Sequence, residues 1–196
     1  MHRLKMFLLA LSLTVLGGCA ESSALIKTSS TSMRTDIYEE LTNVGTAPKG
    51  FTDLRIIATL KTHKPGIFSA KDIHGTPDYK LLLNIDGQAV QVQGTLRNEN
   101  SEPMKLVDPE VGDGIRYRFS KILRLKAGPH RVVVALPDDE VAVAREITLS
   151  DGTANTLVVE PIYSTVPGKR PPRHLTTTSF KEGIRSLRLM LNGKEI

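Results

Sequence analysis

One cysteine, no tryptophan and only 5% aromatic residues stand in this chain of 196. A lone cysteine excludes an intramolecular disulfide framework, so the fold must rest on its apolar core. The uncharged stretch from Met6 to Leu16 is too short for a bilayer-spanning helix, which needs roughly 20 apolar residues. A Gly-rich phosphate loop, a His-Glu-x-x-His helix and a nucleophile elbow are all missing, and no internal repeat is visible. With no local catalytic motif, the expectation is a non-enzymatic protein without a cofactor.

What is present begins at the N-terminus. Met1-His2-Arg3-Leu4-Lys5 is a short positive region, and Met6–Leu16 has the length of a signal-peptide apolar core. It ends in Leu16-Gly17-Gly18-Cys19. This tetrapeptide resembles the lipobox of bacterial lipoproteins: an aliphatic residue, two small residues, then cysteine. The resemblance implies cleavage between Gly18 and Cys19, a diacylglycerol on the Cys19 thiol, and acylation of the new amino group. Small residues let an extended backbone enter a peptidase cleft, and the thiol is the strong nucleophile for alkylation. Each buried CH₂ of the acyl chains adds roughly 0.8 kcal/mol of membrane affinity. Ala20 follows in place of the aspartate that often marks inner-membrane retention. The expected location is therefore the cell envelope, on the periplasmic face of the outer membrane.

Charge is nearly balanced. Without Arg3 and Lys5 the 26 basic residues become 24 against 21 acidic ones, a net +3. That mild excess is not a nucleic-acid signature, and export also speaks against such a partner. A membrane contact through Cys19 and an envelope protein partner are expected instead.

Residues 1–18 are thus read as signal peptide. Residues 19–50 are read as lipidated cysteine plus a flexible Ser/Thr-rich tether over 20–35, with a possible short helix from Asp36, where Glu39 follows at capping-box spacing. Residues 51–196 are read as one domain. There the apolar period becomes two: Leu54, Ile56, Ala58, Leu60; then Tyr79, Leu81, Leu83, Ile85, closed by Asp86-Gly87; then Val90, Val92, Leu96. Over 115–126, Ile115, Tyr117, Phe119, Leu123 and Leu125 share one face, with a bend expected near Lys121. Arg116, Arg118, Arg124 and Lys126 share the other. Val132–Leu136, Val141–Leu149, Leu157–Tyr163 and Leu187–Leu191 follow between short turns. The pattern predicts an all-β fold, an antiparallel sandwich of about eight strands, with 62–78, 99–113 and 164–184 as loops.

The stretch Leu123-Arg124-Leu125-Lys126-Ala127-Gly128-Pro129-His130-Arg131-Val132-Val133-Val134 resembles the Ala-Gly-x-His-x-Val-x-Val signature of PEGA-type domains. Leu83-Asn84-Ile85-Asp86-Gly87 is similar to the hairpin strand of the same modules. The resemblance covers roughly residues 79–163. It implies an immunoglobulin-like or transthyretin-like sandwich that works as a binding or spacer module in the cell envelope.

Several clusters carry possible chemistry. His63 and His74 lie in one loop with Asp72 and Asp78; a zinc site is one reading, but a solvated polar loop is preferred and no metal is expected. Asp108, Glu110 and Asp113 lack the ligand order of an EF-hand and read as an acidic turn. His130, after a Gly-Pro turn, is expected to hydrogen-bond the turn backbone. The basic residues are the candidate contacts to an anionic partner: Arg116, Arg118, Arg124 and Lys126 as a stripe, and Lys169, Arg170 and Arg173 in a Pro-rich loop. They suit lipid phosphate, glycan or an acidic protein. The leading expectation is a non-catalytic protein-binding or scaffold module; the alternative is a binder of an anionic envelope ligand or a metal ion.

Overall fold

The computed structural model describes residues 17–43, 45–66, 71–101, 108–166 and 178–196. Helix α1 (Gly17–Ser29) comes first. Strands β1 (Tyr38–Leu41), β2 (Phe51–Thr62), β3 (Lys80–Ile85), β4 (Gln88–Gln93), β5 (Thr95–Ser101) and β6 (Gly112–Lys126) follow. Then come β7 (Gly128–Leu136), β8 (Val141–Leu149), β9 (Ala154–Tyr163), β10 (Ile184–Leu191) and β11 (Lys194–Glu195). They form two sheets. One has seven strands in the order β1-β6-β2-β9-β10-β11, with β5 also paired to β6; the other has the order β4-β3-β7-β8. Pairing is antiparallel except between β2 and β9. Apolar residues from both sheets join in one core, so the architecture is a two-sheet β-sandwich.

The strand pattern follows from alternation. In β6, Ile115, Tyr117, Phe119, Leu123 and Leu125 are buried, and Arg118 and Lys126 are exposed. The register with β2 runs unbroken from Thr62↔Ile115 to Phe51↔Lys126, straight through Lys121. Lys121 takes an inward-alternating position and meets the Glu40 carboxylate of β1. The Asp86-Gly87 turn is a tight hairpin, with φ of 48° and 92° and Ile85 opposite Gln88. Two successive positive φ values are the requirement of a type I′ turn, which Asp-Gly meets at low cost.

The described chain has eleven strands rather than about eight, for three local reasons. The Val90–Leu96 run is two strands: β4 belongs to the small sheet and β5 to the large one, with Gly94 between them. A Cβ on Gly94 would stand 2.8 Å from the Phe119 ring, so this corner is built around a missing side chain. Residues 38–41 form β1 rather than a short helix. They pair with Leu125–Ile122 at the edge of β6, and edge pairing outweighs the capping signal at Asp36. After Asn192-Gly193 the chain turns back as β11.

The expected flexible tether is also corrected. Residues 17–29 are helical, and α1 packs on β7 and β8. Its end is pinned where Asn84 Nδ2 donates to the Ser29 carbonyl at 3.0 Å. Met33 N donates to the Gly87 carbonyl at 2.9 Å, and Ala89 N to Ser32 Oγ at 2.9 Å. The physical reason lies in the small sheet. Leu82, Val133 and Ala135 alternate away from the core yet are fully buried, so that outer face is apolar and needs a cover.

Candidate functional site

Three polar clusters sit on this frame, two of them where β2 ends. The first belongs to the β2–β3 connection. His63 Nε2 lies 2.9 Å from Asp72 Oδ2, and His74 Nδ1 lies 2.6 Å from Asp72 Oδ1. His74 N also donates to Asp72 Oδ1 at 3.0 Å. The two imidazoles approach to 4.6 Å between ring centroids. Behind them, His74 Nε2 is 3.4 Å from Asp139 Oδ1, in the 3-10 turn between β7 and β8. The Tyr79 hydroxyl donates to Asp139 Oδ2. Rings then continue inward: His74 to Tyr79 at 4.9 Å and Tyr79 to Tyr117 at 4.8 Å.

This is not the solvated loop expected from sequence. Asp72 and His74 side chains are only 14% and 13% exposed, while His63 is 40% exposed. Asp78 stays out of the cluster on the surface. Burial raises the Asp72 carboxyl, but the two histidine rings and the His74 amide overcome that and hold it below the usual carboxylate range. Burial lowers the His74 ring, and Asp139 and Asp72 together push it above its ordinary value. Asp138 is pushed up by burial and by its neighbour Asp139.

The second cluster is an ion network around Lys61, a lysine with no solvent exposure. Lys61 Nζ donates to the Glu110 carbonyl at 2.8 Å and to the Gly112 carbonyl, and stands 3.6 Å from Glu99 Oε2. Arg116 donates to Glu99 Oε2 at 2.7 Å and also bonds Glu110. The Tyr163 hydroxyl accepts from Lys61 N at 2.9 Å and donates to Glu110. Burial pushes the Lys61 ammonium down, opposed by the Glu99 charge. Burial raises Glu99, but Arg116 outweighs it and holds the carboxyl low. Charges satisfied on all sides in this way hold loop 108–111 onto the sheet. Asp108 bonds its own turn at Glu110 N, and Asp113 faces Lys64 at 3.7 Å, so the three acids serve separate partners.

The third is the basic stripe. All four residues lie on the outer face of β6, yet two are internally paired. Arg116 belongs to the Lys61 network. Arg124 forks onto Asp53, Nε to Oδ1 at 2.8 Å and Nη2 to Oδ2 at 3.0 Å. Arg118 and Lys126 are exposed, and among the described residues the Arg118 guanidinium has no partner. Arg118 borders a groove of about 540 Å³ lined by Thr59, Thr95, Leu96, Arg97, Glu99 and Arg116. Lys169, Arg170 and Arg173 lie outside the described residues. Gly18 and Cys19 fall in the first turn of α1. His130 Nε2 is 2.8 Å from the Lys126 carbonyl, the turn contact expected for it.

Sequence reasoning missed Asp53, Glu99 and Lys61, which sit in strands where only pairing brings their partners close. It also missed Asp139, from a different turn than the histidines. The fold is an antiparallel-rich β-sandwich with a helix on one sheet. No family model, no curated protein and no solved structure matches this chain.

Proposed function

We propose that this chain is a lipid-anchored lipoprotein of the bacterial cell envelope. Its sandwich, of immunoglobulin-like or transthyretin-like kind, acts as a non-catalytic protein-binding or scaffold module. The observation that carries this reading is the asymmetry of the two sheets. Helix α1, which contains Cys19, covers the outer face of the four-stranded sheet. The outer face of the seven-stranded sheet lies on the other side of the sandwich, away from α1. It bears partly exposed Ile57, Val158 and Met190 in one row across β2, β9 and β10. Beside the row lie exposed Arg55 and Arg118. An apolar centre with arginines around it is the composition that protein interfaces favour.

Lipidation of Cys19 would place the acyl chains at the start of α1. From Cys19 to Ser29 a helix rises about 1.5 Å per residue, so the sandwich would ride close to the membrane rather than on a long leash. A second reading, an anionic lipid or glycan ligand, draws on the groove flanked by Arg97, Arg116 and Arg118. Glu99 neutralises part of that groove, which favours the protein partner.

The test is a cross-linking pull-down of the protein from its native envelope, with Cys19→Ala and Arg118→Glu forms alongside. One or a few envelope proteins retained by the native form and lost from both variants is the expected result. Retention of no protein overturns the scaffold reading in favour of the anionic ligand.

A further inference from the structure

The His63–Asp72–His74 cluster has a chemistry that a partner-binding face does not require. Two imidazole nitrogens and a carboxylate lie with their ligand atoms within 4.8 Å of one another. Zinc holds nitrogen and oxygen ligands at about 2.0–2.2 Å, which sets neighbouring donor atoms of a tetrahedral site about 3.4 Å apart. The present separations of 2.9 and 2.6 Å to Asp72 are hydrogen bonds. A shift of under an ångström brings each of these two separations, one to either Asp72 oxygen, to that spacing, and the two ring nitrogens stand within 4.8 Å of each other.

A second, independent observation concerns what stands behind the ligands. Histidines that bind metal through one ring nitrogen typically donate the other N–H to a carboxylate, which fixes tautomer and ring orientation. His74 does this. Its Nδ1 faces Asp72, while its Nε2 faces Asp139, 3.4 Å away. Asp139 is oriented in turn by the buried Tyr79 hydroxyl. A surface loop that merely solvates its polar residues has no need of such a backing chain. Charge points the same way, since Asp72 faces both histidines and Asp138 and Asp139 add negative charge beside His74.

We propose that His63, Asp72 and His74 form a binding site for a divalent transition-metal ion of the zinc class. Imidazole and carboxylate ligands suit such ions, whereas calcium and magnesium prefer all-oxygen sets. The three residues supply three ligands, and the exposed side at His63 leaves a fourth position open to water. The ion would tie the end of β2 to the segment that leads into β3, and through Asp139 to the β7–β8 turn. The site is independent of the partner-binding reading and stands or falls without it.

Zinc binding by the full-length protein carrying Cys19→Ala, which removes the one thiol, tests this by calorimetry after chelator treatment. The expected result is one zinc ion per chain and a higher thermal midpoint with zinc. His63→Gln, at a largely solvent-facing ring, keeps the far-ultraviolet spectrum and abolishes the binding. Asp72→Asn does the same. Asp139→Asn keeps the three ligands and weakens affinity about 10–100-fold. No zinc retained by the parent protein overturns the proposal. So does zinc binding that His63→Gln leaves unchanged.

Discussion

Asp86 and His130, 44 residues apart, are joined at 2.7 Å between Oδ2 and ring Nδ1. The other oxygen, Oδ1, accepts from Arg131 N at 2.8 Å. The carboxylate at the tip of the β3–β4 hairpin therefore grips the start of β7. The two segments that resemble PEGA-type motifs, around Asp86-Gly87 and around His130, are thus two halves of one contact. Asp86 has a φ of 48°, a conformation that aspartate and asparagine tolerate better than most residues. Asp86→Ala is expected to lose about 1–3 kcal/mol through the orphaned groups and the strained turn. Asp86→Asn should lose less. Urea unfolding of both variants decides; equal stabilities contradict the contact's role.

Tyr38 is buried in β1, and its hydroxyl is the one described buried side-chain atom without a hydrogen-bond partner. Burial, with the nearby Glu40 charge, pushes the phenol up to about 12. Removing an unsatisfied polar atom from a core relieves a desolvation penalty. Tyr38→Phe should therefore be neutral or stabilising by up to about 1 kcal/mol in thermal unfolding. A clear loss of stability would mean the hydroxyl has a partner that matters.

The Arg124 fork holds the Asp53 carboxyl below its usual range, against the opposing effect of burial and with help from the Gly45 amide. A folded-state value below the unfolded one means that the pair stabilises fully above the ordinary carboxylate value of about 4. That contribution disappears as pH falls through the lower folded value. Asp72 and Glu99 are held low as well and act in the same sense. The native protein should thus lose stability from about pH 4 downward. Asp53→Asn should be less stable at pH 7 and show a shallower fall over the acid range. An unaltered acid slope contradicts this assignment.

Gly114 lies where β6 passes the Lys61 network. A Cβ there would stand 2.7 Å from Lys61 Cε, from Phe180 Cε2 and from the Thr62 carbonyl oxygen. The carbonyl is backbone and has little room to give. Gly114→Ala should cost about 1–3 kcal/mol, as overpacking does, and loosen loop 108–111. Thermal melting combined with hydrogen exchange at Val111 N reads both effects; a native-like melt would contradict the close packing.

Much of the sandwich was legible because antiparallel strands with one buried face write period two into the sequence. β6 shows it over its whole length, and Asp86-Gly87 marks its hairpin through turn chemistry alone. β1 was hidden because four residues at a sheet edge carry little pattern of their own. Helix α1 was hidden by its serines, although the clue stood elsewhere. Val132–Leu136 is apolar without interruption, and a strand buried on both faces requires a cover on its outer side. The basic stripe was visible as a face, but the pairing of Arg116 with Glu99 and Glu110 and of Arg124 with Asp53 depends on register, which spacing along one strand does not reveal. The histidines and Asp72 could be seen as neighbours in one loop, but their burial and the contact with Asp139, which comes from the β7–β8 turn, depend on the fold and leave no mark in the spacing.

Lipid on Cys19 is what we propose holds this sandwich in the envelope. Intact-mass and N-terminal peptide measurement on protein extracted from its native membrane reads that attachment without an intermediary. The expected result is a chain that begins at Cys19, with a diacylglyceryl group on sulfur and an acylated amino terminus. A chain that begins elsewhere, or a Cys19 with a free thiol, would contradict it.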